Sequence, residues 1–120
     1  MANFLVVDDS MLTRKRLGNF ITNNGHNFIT AANGREALTL LQSETPDGIF
    51  LDLLMPVMDG FELLKELKNR DNTVPVIVVS ADIQESTREK VLALSALDII
   101  SKPGNEEVIA EGIALMLGEN

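Results

Sequence analysis

The chain has 120 residues, 45% of them hydrophobic, no cysteine and a formal net charge of −8. That length predicts one domain with a sizeable core, residues 1–120, and the composition is not that of a disordered chain. Without cysteine, disulfides and thiolate zinc sites are excluded, and the acidic balance speaks against a nucleic-acid surface, which needs clustered Lys and Arg.

No apolar run approaches a membrane span, so no membrane insertion is expected. The start, Met1-Ala2-Asn3-Phe4, carries no basic leader, and a cytoplasmic protein is expected. Trp and Tyr are absent, which leaves little of a stacking platform for single strands.

Phe4-Leu5-Val6-Val7 reads as a first buried strand, stopped by Asp8-Asp9. A helix from about Ser10 to Asn23 follows, with Thr13, Leu17, Phe20 and Ile21 on one face and Asn24-Gly25 as its stop. Within it, Arg14-Lys15-Arg16 reads as a solvated face. His26 to Ala31 is a weaker strand, with His26 read as a surface residue. Asn33-Gly34 then opens a helix to about Gln42, with Ala37, Leu38 and Leu41 inward. Pro46-Asp47-Gly48 turns into the third strand, which ends at Asp52. After a loop containing Pro56, Gly60 to Asn69 is helical, with Phe61, Leu64 and Leu67 on one side. Val74 to Val79 is the fourth strand, with Pro75 near its beginning and Ser80 at its end. A helix from about Ile83 to Ala93, a short strand ending at Ser101-Lys102-Pro103, and a helix from about Asn105 to Leu117 complete the chain. Five strands alternating with five helices predict a parallel, three-layer α/β domain.

In an open parallel sheet, ligands bind beyond the carboxyl ends of the strands. Asp8, Asp9, Asp52, Ser80 and Lys102 all fall at such ends. A lone acid there is usually solvated, a lone Lys is usually on the surface, and a lone Ser usually caps a loop. All five at matched ends point to a built site. Carboxylates brought close together repel one another unless a cation offsets them or a proton is taken up. Mg²⁺ suits such a site, because it takes oxygen ligands and needs only one or two carboxylates beside water and phosphate. Lys102 supplies a point charge and Ser80 a hydroxyl for a phosphoryl oxygen.

Val7-Asp8-Asp9-Ser10, Leu51-Asp52-Leu53-Leu54-Met55-Pro56-Val57-Met58-Asp59-Gly60, Val79-Ser80-Ala81 and Ser101-Lys102-Pro103, in this order, resemble the receiver domains of two-component response regulators. The resemblance covers essentially the whole chain. It implies the flavodoxin-like doubly wound sheet, strand order 2-1-3-4-5. It implies that Asp52 is the phosphoacceptor, taking a phosphoryl group from a histidine kinase or phosphotransfer protein. It implies Mg²⁺, with Mn²⁺ as a substitute, on Asp9, Asp52 and the Leu54 backbone carbonyl. Asp8 then acts through water or by holding Lys102, and the Lys102-Pro103 bond is cis. Ser80 moves toward the phosphoryl group and alters the face made by helix four, strand five and helix five. The family's switching aromatic is replaced by Ile99 here, so the ring-based part of the readout is absent or changed. Leu54 and Asp82 border the path of attacking water. Leu54 cannot hydrogen-bond a water and Asp82 can, which predicts a longer-lived phosphoryl group than a polar residue at position 54 would allow.

The resemblance further implies a monomer when unphosphorylated, an unidentified output protein, a possible chemotaxis role, and catalysis only of the domain's own phosphorylation and dephosphorylation. An ending just past the last helix is expected of a stand-alone regulator or relay. An Asp-nucleophile phosphatase of the haloacid dehalogenase type is disfavoured, since the position of its second Asp is Leu54. A flavodoxin-like FMN protein is disfavoured by an acidic loop where a phosphate cradle belongs, and no P-loop is present. A degenerate receiver that binds partners without phosphorylation is the remaining alternative, against which the intact Asp9, Asp52, Ser80 and Lys102 stand.

Overall fold

A computed structural model of the chain describes residues 1–119. Strands β1 (Asn3–Val7), β2 (Asn27–Ala31), β3 (Gly48–Leu51), β4 (Val76–Ser80) and β5 (Asp98–Ser101) alternate with helices α1 (Met11–Asn23), α2 (Gly34–Leu40), α3 (Gly60–Asn69), α4 (Glu85–Ala93) and α5 (Glu106–Leu117). The strands form one parallel sheet in the order β2-β1-β3-β4-β5, as expected.

Alternation along the strands divides the core between two faces. Leu5, Val7, Ile49, Leu51, Val76 and Val78 meet Ala37 of α2, Leu63, Leu64 and Leu67 of α3, and Val91 of α4. Phe4, Val6, Phe50, Ile77 and Val79 meet Leu17 and Ile21 of α1 and Ile109, Ile113 and Met116 of α5. Both faces are covered, so β1, β3 and β4 need no polar side and read as unbroken apolar runs.

Four helices begin with a side chain that accepts an orphan backbone N–H. Ser10 accepts from Thr13 N, Asn33 from Glu36 N, Asp59 from Glu62 N and Asn105 from Val108 N. Helix α4 begins differently, at Glu85 rather than at Ile83. Asp82 accepts the Gln84 N–H at 3.1 Å, a side-chain turn that holds residues 82–84 out of the helix. Strand β4 likewise starts at Val76 rather than Val74, because Val74 N donates to the Asn72 side chain at 3.0 Å instead of to a neighbouring strand.

Two surface readings need correction. His26 is half-buried: its Nδ1 accepts from Ala2 N at 3.0 Å and its ring meets Phe4 edge-on at 5.6 Å. Of Arg14-Lys15-Arg16 in α1, only Lys15 is exposed, whereas Arg14 and Arg16 donate to backbone carbonyls of neighbouring loops.

Ile109 is fully buried on the α1/α5 face. Truncating Ile109→Ala removes that packing and leaves a void, for a loss of about 2–5 kcal/mol in urea unfolding. A loss below 1 kcal/mol, about the cost of a surface change, would contradict this packing.

Candidate functional site

The strand register builds the site. Val7 pairs with Leu51, so Asp8 and Asp52, one residue further on, leave adjacent strands side by side. Asp52 N donates to Val7 O at 2.9 Å and Asp8 N to Ala31 O at 3.1 Å, which extends the sheet's backbone order into the site. On the other side, Ser80 pairs with Ser101, and Lys102 N donates to Ser80 O at 2.9 Å. All five predicted side chains therefore reach one edge of the sheet.

Lys102 links the acids. Its Nζ lies 2.8 Å from Asp8 Oδ2 and 3.4 Å from Asp52 Oδ1. Asp8 Oδ1 accepts Ser10 N–H at 2.9 Å, so both oxygens of this buried carboxylate are engaged. Asp9 is exposed beside the other two acids, and one carboxylate oxygen from each of Asp8, Asp9 and Asp52 lies within 4.8 Å of the others. Such a cluster of hard oxygen donors can hold a divalent cation. Ser80 is buried, and its Oγ accepts Asp82 N–H at 3.1 Å.

The electrostatics follow from burial and pairing. Burial pushes the Asp52 carboxyl above its ordinary value, and the Asp8 charge adds to this, while Lys102 opposes both. Burial pulls the Lys102 ammonium down, but the hydrogen bond and charge of Asp8, with Asp52 behind it, outweigh burial and hold it above its ordinary value. Lys102 is therefore a fixed positive charge across the physiological range.

Backbone shape matters at two glycines. A Cβ on Gly60 would lie 2.4 Å from the Asp52 carbonyl oxygen, so only glycine lets the start of α3 close against the Asp52 backbone. Gly104 has φ +63°, the left-handed turn that brings the chain from Lys102-Pro103 into α5. The Lys102-Pro103 peptide bond is cis. Leu54 sits two residues past Asp52 with its side chain exposed, in the same loop as the buried Met55 and the exposed Val57.

The contacts of three side chains had no signal in the sequence. Thr87 is buried and its hydroxyl donates to Asp82 Oδ2 at 2.8 Å, so Asp82 is tied to α4 as well as to Gln84 N. These bonds, the Gln84 N–H first and then Thr87, hold the Asp82 carboxyl below its ordinary value. Arg14 Nη1 donates to Asp8 O at 2.8 Å, while Arg16 donates to Pro103 O and, at 2.6 Å, to Gly104 O. An arginine that reaches a carbonyl across the fold leaves no pattern in its own segment.

A family model described as "Response regulator receiver domain" matches residues 4–114. The chain belongs to this family. It is 37% identical over 113 residues to "Response regulator MprA" of Mycolicibacterium vanbaalenii, covering 93% of this chain and 49% of that one, so it spans about half that relative's length. It is 32% identical to "Protein PilH" of Pseudomonas aeruginosa, covering 98% of both chains. Among solved structures, "Chemotaxis response regulator CheY4" of Vibrio cholerae superposes with a TM-score of 0.90 at 31% identity, covering 98% of this chain and 99% of that one. The chain is thus a receiver domain of two-component signalling with the CheY-like flavodoxin fold.

Because the folded receiver holds the Asp52 proton more tightly than the unfolded chain does, ionising Asp52 costs stability. The cost is present above the folded value and gone below the unfolded one. In EDTA at pH 7, Asp52→Asn should therefore unfold at higher urea than the parent, with the gap closing as pH falls below about 4. A gap that widened on acidification would reverse this sign.

Proposed function

We propose that residues 1–120 act as a single receiver that takes a phosphoryl group onto Asp52. The donor is a phosphohistidine on a histidine kinase or phosphotransfer protein. A carboxylate oxygen of Asp52 attacks phosphorus, the P–N bond to the imidazole breaks, and its electron pair stays on nitrogen. The product is an acyl phosphate. The observation that carries this reading is the Lys102 ammonium lying between Asp8 and Asp52 with Asp9 alongside.

Phosphoryl transfer is mostly positioning and charge neutralisation. Lys102 supplies fixed positive charge beside the attacking oxygen. Asp9, Asp52 and the Leu54 carbonyl are the residues that would hold Mg²⁺, or Mn²⁺ in its place, with Asp8 acting through Lys102 and through water. When bound, the cation offsets the carboxylate charge and that developing on the transferred oxygens. The donor set fits, since it is all oxygen and contains no nitrogen or thiolate ligand.

Ser80 ends β4, the strand beside the one that leads to Asp52, and its hydroxyl moves to donate to an oxygen on phosphorylated Asp52. Readout then runs through the loop after β4 to the face formed by α4, β5 and α5, where Ile99 is half-buried and Arg88 pairs with Asp98 at 3.3 Å. The output partner is unidentified, and likeness to CheY4 makes a chemotaxis-type pathway the leading one. The domain turns over no metabolite, is monomeric before phosphorylation and works in the cytoplasm. Among the described residues no helix is long and apolar enough to cross a membrane.

Intact mass after incubation with acetyl phosphate and Mg²⁺ tests the reading. The parent should gain one phosphoryl group, and Asp52→Asn or added EDTA should abolish the gain. If a competent kinase also left the parent unmodified, a phosphorylation-independent binding module would replace this reading.

The lifetime of the acyl phosphate can be predicted too. Leu54 is exposed at the mouth of the site and offers no hydrogen bond, and both Asp82 carboxylate oxygens are already taken. Leu54 therefore cannot align a water, and each Asp82 carboxylate oxygen is already turned to a partner of its own. Leu54→Asn should therefore shorten the phosphoryl half-life severalfold in a dephosphorylation time course, and an unchanged half-life would count against this view.

A further inference from the structure

We infer that Arg16 of α1 is a positioning residue for Lys102, clamping the loop that carries the ammonium from outside the site. This deepens the proposed phosphoryl transfer and rests on it for its kinetic part. The guanidinium donates one N–H to Pro103 O and a second to Gly104 O, the two carbonyls directly after Lys102. The guanidinium itself lies over the Phe20 ring, whose centroid is 4.9 Å from Arg16 Cζ. Two turns further along α1, Asn23 Nδ2 donates to Glu106 Oε1 at 2.8 Å, so α1 also holds the start of α5.

The clamp is needed because little else fixes this loop on its outer side. Ser101 and Pro103 are exposed, and Gly104 occupies a left-handed turn that glycine enters and leaves freely. A planar fork that bonds two carbonyls at once restricts translation and rotation together, which a single ammonium cannot do. From the same helix, Arg14 donates to the Asp8 carbonyl at 2.8 Å. The two guanidiniums thus brace the backbones behind both members of the Asp8–Lys102 pair, and α1 sets the distance between them. With Lys102 Nζ already 3.4 Å from Asp52 Oδ1, a slip of about an ångström would take its charge away from the reacting oxygen.

The test measures initial phosphoryl uptake from acetyl phosphate at saturating Mg²⁺, with Lys15→Met as the neighbouring control. Arg16→Met should slow uptake about tenfold, the scale expected of a small misplacement of a charged group. Arg16→Lys, which keeps the charge but not the fork, should not restore it. In a Lys102→Ala background Arg16→Met should cost nothing further. Amide hydrogen exchange at Lys102, whose N–H bonds Ser80 O, should quicken in Arg16→Met while Val78 in the sheet centre is unchanged. Should Arg16→Met not fold, Arg16→Gln takes its place in every arm. Unchanged uptake, rescue by Lys, or an equal loss without Lys102 would overturn the inference. If the parent takes up no phosphoryl group, the proposed function fails. The exchange arm then decides the clamp alone: unchanged exchange at Lys102 overturns it and faster exchange supports it.

Discussion

The contact on which the site depends is the Lys102 ammonium held between Asp8 and Asp52 at the end of the sheet. Packing carboxylates together beside a core is costly, and one lysine lowers that cost without removing it. Three carboxylates and one ammonium leave two formal negative charges at the cluster. That residue of charge matches a divalent cation and tells against a permanently occupied anion site. It also explains why both neighbours hold their protons more tightly than usual, Asp52 because of its burial and the Asp8 charge, and Lys102 because the hydrogen bond and charge of Asp8 outweigh its burial. A phosphoryl group arriving on Asp52 adds negative charge to the same place. On the proposed reading, the resting site is kept short of positive charge, and reaction becomes favourable only once a cation completes it.

The sheet makes this possible because parallel register repeats from strand to strand. Asp8 and Asp52 are adjacent since Val7 and Leu51 are partners, and Lys102 is near because Ser80 pairs with Ser101. A slip of one residue in either pairing would turn the alternating core inside out. The apolar faces that fix the fold therefore also fix the site, and positional precision is inherited from the core. Gly60 adds a local requirement, since any side chain there would strike the Asp52 carbonyl.

What could be read from the residues divides along physical lines. Strand runs, helix stripes and the five chemically active strand ends were legible, because each is a pattern within a short segment. Resemblance supplied the strand order. Illegible were contacts whose two halves lie far apart. Arg16 meets Pro103 and Gly104 across the fold, and nothing in Arg14-Lys15-Arg16 separates a clamping arginine from a solvated one. His26 escaped for the same reason, since its partner Ala2 precedes the neighbouring strand β1, 24 residues away in the chain. The late start of α4 was missed differently: Asp82 competes locally for the Gln84 N–H, and helical spacing alone does not register that competition.

The same Asp82 bears on how a signal would leave the site. Ser80 Oγ accepts the Asp82 N–H, and Asp82 is tied by its carboxylate to Gln84 and to Thr87 of α4. A hydroxyl has one proton and two lone pairs, so Ser80 can keep accepting from Asp82 while donating toward a phosphoryl oxygen. Movement of the hydroxyl would then draw the loop with it. Thr87 is buried, so a pull on Asp82 reaches the first turn of α4 rather than dissipating in the exposed residues 83–84. With an aliphatic Ile99 on β5, this hydrogen-bonded tether would link Ser80 to α4 without requiring a ring to change sides.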